Sequence, residues 1–422
     1  MKRIAIIILC LIPAYRVLSE PVVITGDMIK DLIGTRIQDI RVYSSNGQVI
    51  PFQIDEIDTN GEYICDSGKA PNIGAGNGIL DKQDEIVFLW EDLDSNNSEF
   101  NLGKKKVDKI LLHRGNQQRN VFLAVNPGVQ YSSKRYLEYN HEQQFLKTPY
   151  YYAQFGKNRF HFTKAGVKDF ETGKYTDLTD VLRIEILLRA LWGLLPIRYT
   201  EDNIVCIVNR YKAGPVRLIR RGDFHLNLGL GIKGSRAVVN QICYPQVVTV
   251  PVTVHVPIRF KAIFSDAFME MTPVIRSGGK GFTFSIPDAG FNGKINEKKT
   301  DTLISLIPNG RFMSVTDGNK GYGWVLQADI KDSLFEGSGF IFRIPSKRNG
   351  IADCGFRFTM KDLAKGNYRI TNWVLFSDNY EHLIESASAI TNPLIFDYCG
   401  KKLSNHLSAF PKYKKAALLN IE

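Results

Sequence analysis

The chain has 422 residues, 44% of them hydrophobic, with 35 glycines and 18 tyrosines. That is too long for one ordinary core and too apolar for general disorder, so it points to two β-rich units with many tight turns. The formal net charge is +11. No zinc-finger spacing and no RNP-like aromatic motif accompany it, which argues against nucleic acid; a basic protein that needs no polyanionic partner is the favoured reading, and attraction to an acidic polysaccharide or an anionic envelope surface is the sharper alternative.

Lys2 and Arg3 precede an apolar run from Ile4 to Ile12, and Val17 and Ser19 stand at −3 and −1 of a small-residue cleavage site before Glu20. This order predicts a signal peptide over 1–19 and a protein that is exported, periplasmic or extracellular. A membrane anchor is the competing reading, but the apolar run is far short of the ~20 residues that span a bilayer. No later stretch approaches that length, and the irregular strand-like runs do not fit a membrane β-barrel. Bulky Ile8 and Leu9 argue against lipid attachment at Cys10.

Residues 36–55 predict a β-hairpin turned at Asn46-Gly47, with Ile37, Ile40 and Val42 in one arm and Val49, Phe52 and Ile54 in the other. Further strands are expected at 85–90, 107–113 and 120–125, making a small barrel-like domain over 20–130. The Tyr-, Gln-, Lys- and Glu-rich stretch 131–152 reads as a connector. A larger domain over 153–400 follows. Its segment 180–192 alternates charge and apolar groups as a strand does, with a helix the competitor until Gly193 and Pro196 cut the pattern. Runs 203–211 and 215–226 predict a second hairpin. Pro251 and Pro257 mark 247–260 as an edge or bent strand. Strands near 281–286, 302–306, 324–329, 339–343, 355–359 and 367–376 complete a long antiparallel series. The fold class is therefore all-β, a small barrel-like domain followed by a large antiparallel β-sandwich. The lysine-rich stretch 401–422 reads as a solvated basic tail.

Pro51-Phe52-Gln53-Ile54-Asp55 leads to Asn77-Gly78-Ile79-Leu80-Asp81-Lys82-Gln83-Asp84-Glu85-Ile86-Val87-Phe88. These residues resemble a P-x-Q-[IV]-D, N-G-x-x-D-x-x-D-E-[IL]-V-F signature of uncharacterised exported β proteins. Together with the preceding run from Val42 to Gln53, they are similar to the N-terminal small-barrel domain of some polysaccharide lyase-related proteins. The resemblance covers about 60 residues and implies a large sugar-processing β-sandwich after that domain; no residue past 130 matches a catalytic motif of such a family. The same segment invites a calcium reading with Asn77, Asp81 and Asp84 as ligands. Ile73 and Ala75 stand where early oxygen ligands are needed, so a polar turn is favoured.

No CxxC pair, c-type haem motif, His-x-x-x-His, G-x-S-x-G, P-loop or dinucleotide fingerprint is present, so no cofactor and no metal is expected. Cys65, Cys206, Cys243, Cys354 and Cys399 allow one or two disulfides or scattered buried thiols. His161 and His255 sit in strand-like runs and read as structural. The densest ionisable group of the second domain is Arg217, Arg220 and Arg221 with Asp223 and His225. Arginine could neutralise a uronate carboxylate while histidine removes a proton, but Arg220 and Arg221 must face opposite ways on a strand, and a solvated strand face is the favoured reading. Trp192, Trp324 and Trp373 could offer flat platforms for sugar rings, with core packing the competing use of each. The candidate ligand-binding set is therefore Arg220, Arg221, His225, Trp192, Trp324 and Trp373, with no catalytic residue assigned. The function expected is an exported, non-catalytic protein binding carbohydrate or another cell-envelope ligand. A polysaccharide lyase or hydrolase and a purely structural envelope component are the alternatives.

Overall fold

A computed structural model describes residues 20–95, 107–114, 116–157, 160–229, 232–256, 259–295, 299–305, 312–329, 337–347, 350–391, 395–398 and 401–404. The expected signal peptide and most of the basic tail lie outside the described residues. The strands form four antiparallel sheets, two of them small and two ten-stranded.

The three-stranded sheet has the order Pro21–Thr25, Glu85–Leu89, Phe52–Asp55. Its strands are apolar on both faces because both faces are buried. Val22, Ile24, Ile86 and Phe88 enter a small core, whereas Val23, Val87 and Leu89 enter the large one. This sheet is the wall between the two cores. The small core is closed on its other side by Ile40, Val42, Ile110, Leu112, Val121 and Leu123. These belong to a five-stranded sheet of order Ile40–Ser44, Gln117–Val125, Val107–Arg114, Ile395–Tyr398, Lys401–Ser404. In place of a barrel, the small core lies between two open sheets packed face to face. The last strand uses residues the sequence reading assigned to the tail.

The Asn46-Gly47 turn forms, with Gly47 at φ 84° and its N–H donating to Ser44 O. The arms do not remain paired, however. After the Tyr43–Val49 bridge and the Ile50 to Val42 bond, the chain crosses to the other sheet, where Phe52 pairs with Phe88. Pro51 has no N–H with which to continue the hairpin ladder.

The two large sheets pack over the main core. The first runs Thr300–Ser305, Gly339–Ile344, Ala352–Thr359, Phe264–Ile275, Tyr175–Ala190, Phe162–Lys168, Tyr151–Phe155, Phe145–Lys147, Glu138–Asn140, with Leu195–Thr200 paired to Tyr175–Ala190. The second runs Phe291–Lys294, Thr283–Ile286, Phe312–Thr316, Gly321–Asp329, Gly366–Ser377, Val247–Val256, Ile232–Cys243, Leu218–Gly229, Ile204–Ala213, Ser67–Gly68. Rings cross the gap between them: Phe284 stacks on Phe342 at 5.1 Å and Tyr151 on Phe376 at 4.3 Å. Segment 180–190 is a strand, as its alternation predicts. Pro251 lies where its strand is paired only with Gly366–Ser377, because pairing to Ile232–Cys243 stops at Thr249. The stretch read as a connector carries Glu138–Asn140, Phe145–Lys147 and the start of Tyr151–Phe155. One α-helix, Tyr380–Thr391, was not anticipated. Its Leu383, Ala387 and Ile390 are buried, and Asn379 caps it by accepting the Glu381 N–H.

Candidate functional site

The signature residues meet at the contact between the three-stranded sheet and the second large sheet. Asp55 and Glu85 are cross-strand partners and both are buried. Two carboxylates in that position need a cation. Arg217, just before the Leu218–Gly229 strand, supplies it: its Nε donates to Asp55 Oδ2 at 2.7 Å and its Nη2 to Glu85 Oε2 at 2.6 Å. Lys212 Nζ lies 2.8 Å from Asp55 Oδ1, Gln53 donates to both Asp55 oxygens, and the Tyr63 hydroxyl donates to Glu85. Burial pushes the Asp55 carboxyl up, but Lys212, Arg217 and Gln53 outweigh it and hold the group below its usual range. For Glu85 burial prevails over Arg217 and the group is raised. Such a split between two carboxylates often marks acid–base chemistry. Here both are sealed from solvent, so the arrangement is a lock between sheets. Glu62 extends it, pairing with Arg210 at 2.9 Å and with Arg221.

The loop considered for calcium spends its oxygens on the backbone. Asp84 accepts the N–H groups of Ile57 and Asp81, and Glu56 accepts those of Asn77 and Gly78. Among the described residues no cluster of His, Cys, Asp or Glu is arranged to hold a metal ion. Cys65, Cys206, Cys243 and Cys354 are buried free thiols, and Cys399 lies outside the described residues.

A second arrangement has a half-buried rim. Tyr211, Arg220 and Gln241 occupy one register line across three strands of the second large sheet. Arg220 is fully buried. Its Nη1 donates to Gln241 Oε1 at 2.5 Å and to Phe160 O at 3.4 Å, its Nη2 donates to Gln144 Oε1 at 3.2 Å, and its guanidinium lies 3.7 Å over the Phe155 ring. Its Nε has no hydrogen-bond partner. Among the described residues no carboxylate pairs with it, and burial lowers its pKa. Arg217 and Arg183 are buried with carboxylates. Arg41 and Arg119 are buried without an ion-paired carboxylate, but donate hydrogen bonds to backbone carbonyls. Arg220 instead relies mainly on two side-chain amides.

Half-buried aromatic groups stand beside it. His141 stacks on Tyr211 at 4.5 Å, Tyr139 meets Tyr211 edge-on at 5.3 Å, and the Tyr139 hydroxyl is 3.5 Å from His141 Nδ1. Burial first, and then the Arg220 charge, lower the His141 pKa. Gln144, which links this rim to Arg220, has φ 52°, a left-handed conformation uncommon for a long side chain. His141 and Gln144 belong to the turn between Glu138–Asn140 and Phe145–Lys147.

The expected ligand-binding residues do not converge. Arg220 and Arg221 are both buried, on opposite faces, the latter tied to Glu62. The His225 backbone pairs with Val205 and Arg236, and its side chain lies outside the described residues. Trp324 and Trp373 are not platforms: they are 4% and 1% exposed, because their large apolar rings fill the core. Trp192 is 91% exposed at the tip between Tyr175–Ala190 and Leu195–Thr200, in the other large sheet from Arg220. Sequence reasoning found Arg220 but missed Tyr139, His141, Gln144, Tyr211 and Gln241. Strand alternation could have placed Tyr211 and Gln241 only after the register was known.

No protein-family profile and no curated protein sequence matches the chain. Among solved structures, it is similar to an alpha-mannosidase from Enterococcus faecalis V583, with TM-score 0.47 and 10% identity over 87% of this chain and 41% of that one. A protein in the glycosyl hydrolase family 38 from Enterococcus faecalis gives TM-score 0.47 and 10% identity over 92% and 46%. An alpha-N-acetylgalactosaminidase from Bifidobacterium bifidum gives TM-score 0.36 and 9% identity over 56% and 36%. The chain spans less than half the length of each.

Proposed function

We propose that the protein is exported and binds an acidic carbohydrate without transforming it, with Arg220 as the anchor for a carboxylate or sulfate. The supporting observation is a fully buried guanidinium whose hydrogen-bond partners are all neutral. Burying a cation without a counter-charge is costly, and a ligand anion would offset that cost through charge-assisted bonds. The ligand oxygen would take the place of the Gln144 carboxamide, while the Tyr211–His141 stack would offer a flat face to a sugar ring. The basic balance of the chain favours the same partners.

Glycan-array binding tests this reading. Uronate- or sulfate-bearing glycans should be retained, less so at high salt, and Arg220→Gln should abolish retention. Tyr211→Ala and Gln144→Ala probe the same site from its half-buried rim if the arginine variant does not fold. Unchanged retention in folded variants would reject the site.

One observation favours β-elimination as a second reading: a tyrosine hydroxyl and an imidazole of lowered pKa 3.5 Å apart beside a buried arginine. In a bound uronate, His141 would take the C5 proton, the C4–C5 double bond would form as the C4–O bond breaks, and Tyr139 would protonate the leaving oxygen, with Arg220 neutralising the carboxylate. New unsaturated ends after incubation would establish this reading over simple binding.

A further inference from the structure

Five of the ten exposed large apolar residues among those described sit at one end of the first large sheet. Leu191, Trp192, Leu194 and Leu195 are 58%, 91%, 82% and 48% exposed in the tip joining Tyr175–Ala190 to Leu195–Thr200, and Ile263 is 48% exposed beside them. The two segments adjoin because Ala190 pairs with both Leu195 and Phe264. The Ser265 hydroxyl also donates to Arg189 O at 3.1 Å.

The tip is held in an uncommon shape. Leu191, Trp192 and Gly193 have φ of 49°, 56° and 92° in succession. Only the glycine adopts this region without steric cost. Two bulky apolar residues are thus kept in a strained turn that leaves them in water, where neither strain nor exposure favours the free protein. Behind the apolar crown stand exposed cations. Arg189, Arg198 and Lys261 have side chains 49%, 56% and 57% exposed, and Arg259 is exposed as well. Arg198 is tied to the mostly buried Glu185 at 3.0 Å, whereas the exposed acids Asp266 and Asp362 lie at loose separations of 4.0 Å from Arg189 and 3.8 Å from Lys261.

We propose that this end docks on an anionic lipid bilayer, with Trp192 and Leu194 entering the headgroup–acyl boundary and the basic collar meeting lipid phosphates. Tryptophan favours that boundary, and cations behind it gain from the negative surface potential. No helix among the described residues is long and apolar enough to cross a membrane, so the attachment proposed is peripheral. It is independent of the Arg220 reading.

The test uses the full chain with vesicles of phosphatidylglycerol and phosphatidylcholine, against pure phosphatidylcholine. Trp90, Trp324 and Trp373 are buried, so Trp192 dominates the response to lipid. Its emission should shift to the blue and be quenched by brominated lipid, only with the anionic vesicles and less at high salt. Trp192→Ser with Leu194→Ser should weaken vesicle binding by about tenfold or more. An N-terminal apolar run is common to both proteins and drops out of that comparison. Equal vesicle binding by parent and variant would overturn the proposal. So would absence of quenching, or concentration-dependent self-association that the double variant abolishes while vesicles do not compete.

Discussion

Asp55 and Glu85 stand opposite each other on neighbouring buried strands and share the guanidinium of Arg217. Arg217 is thus the one cation common to both carboxylates where the three-stranded sheet meets the second large sheet, and it arrives more than a hundred residues later, with Lys212 reinforcing Asp55 alone.

Removing that cation should be far worse than removing the whole network. Arg217→Met leaves two buried carboxylates facing each other without their shared partner, and should destabilise the protein by about 3–5 kcal/mol. Adding Asp55→Leu and Glu85→Leu should recover much of the loss. Urea denaturation midpoints of the single and triple variants check this; equal midpoints would show that the charges are not coupled.

Gly214 is the closest approach in the same lock. A Cβ there would sit 1.8 Å from Gln53 Oε1. That oxygen cannot simply swing away, because it accepts from the Arg217 N–H at 3.1 Å while Gln53 Nε2 holds Asp55. Gly214→Ala should cost about 1–3 kcal/mol, and Gln53→Ala in the same chain should relieve the steric part. A double-mutant cycle on thermal stability measures it.

The helix carries a separate pH signal. His382 Nδ1 lies 3.7 Å from Asp378, and the nearby Asp378 carboxylate raises its pKa above 6.5 despite partial burial. The folded state therefore binds this proton more tightly than the unfolded chain. The contribution is complete below the ordinary histidine value and is lost as pH rises through the raised folded value. The thermal midpoint of the parent should fall relative to His382→Gln across that window, and parallel curves would show that the pair contributes nothing.

How much of this was legible depends on where each signal resides. Glu85–Leu89 announces itself because both faces are apolar. The edge strand Glu138–Asn140 and its neighbour Phe145–Lys147 do not, since their exposed positions carry Glu, Asn and Lys. Leu383, Ala387 and Ile390 have helical spacing with Asn379 ahead, but the short Ser- and Ala-containing stretch was overshadowed by its strand-rich surroundings. Tryptophan serves a core or a platform equally well, so Trp324 and Trp373 could not be sorted by type. Arg220 drew notice as part of a charged cluster. Its partner Gln144 lies 76 residues upstream, and only the folded chain brings them together.

The last prediction separates the two readings of the Arg220 site. Burial and the Arg220 charge lower the His141 pKa below 6.5. As pH falls through that lowered value, His141 gains a proton and adds positive charge beside Arg220. If the site only binds an acidic glycan, affinity should rise over this interval as long as the ligand stays ionised, and His141→Ala should flatten the rise. If His141 is the base of an elimination, protonation removes the base, and turnover should fall over the same interval. Calorimetric affinity and the release of unsaturated ends, both followed against pH on the same glycan, give opposite slopes for the two cases. Binding and turnover that are both flat with pH, and unaltered by His141→Ala, would remove His141 from the site.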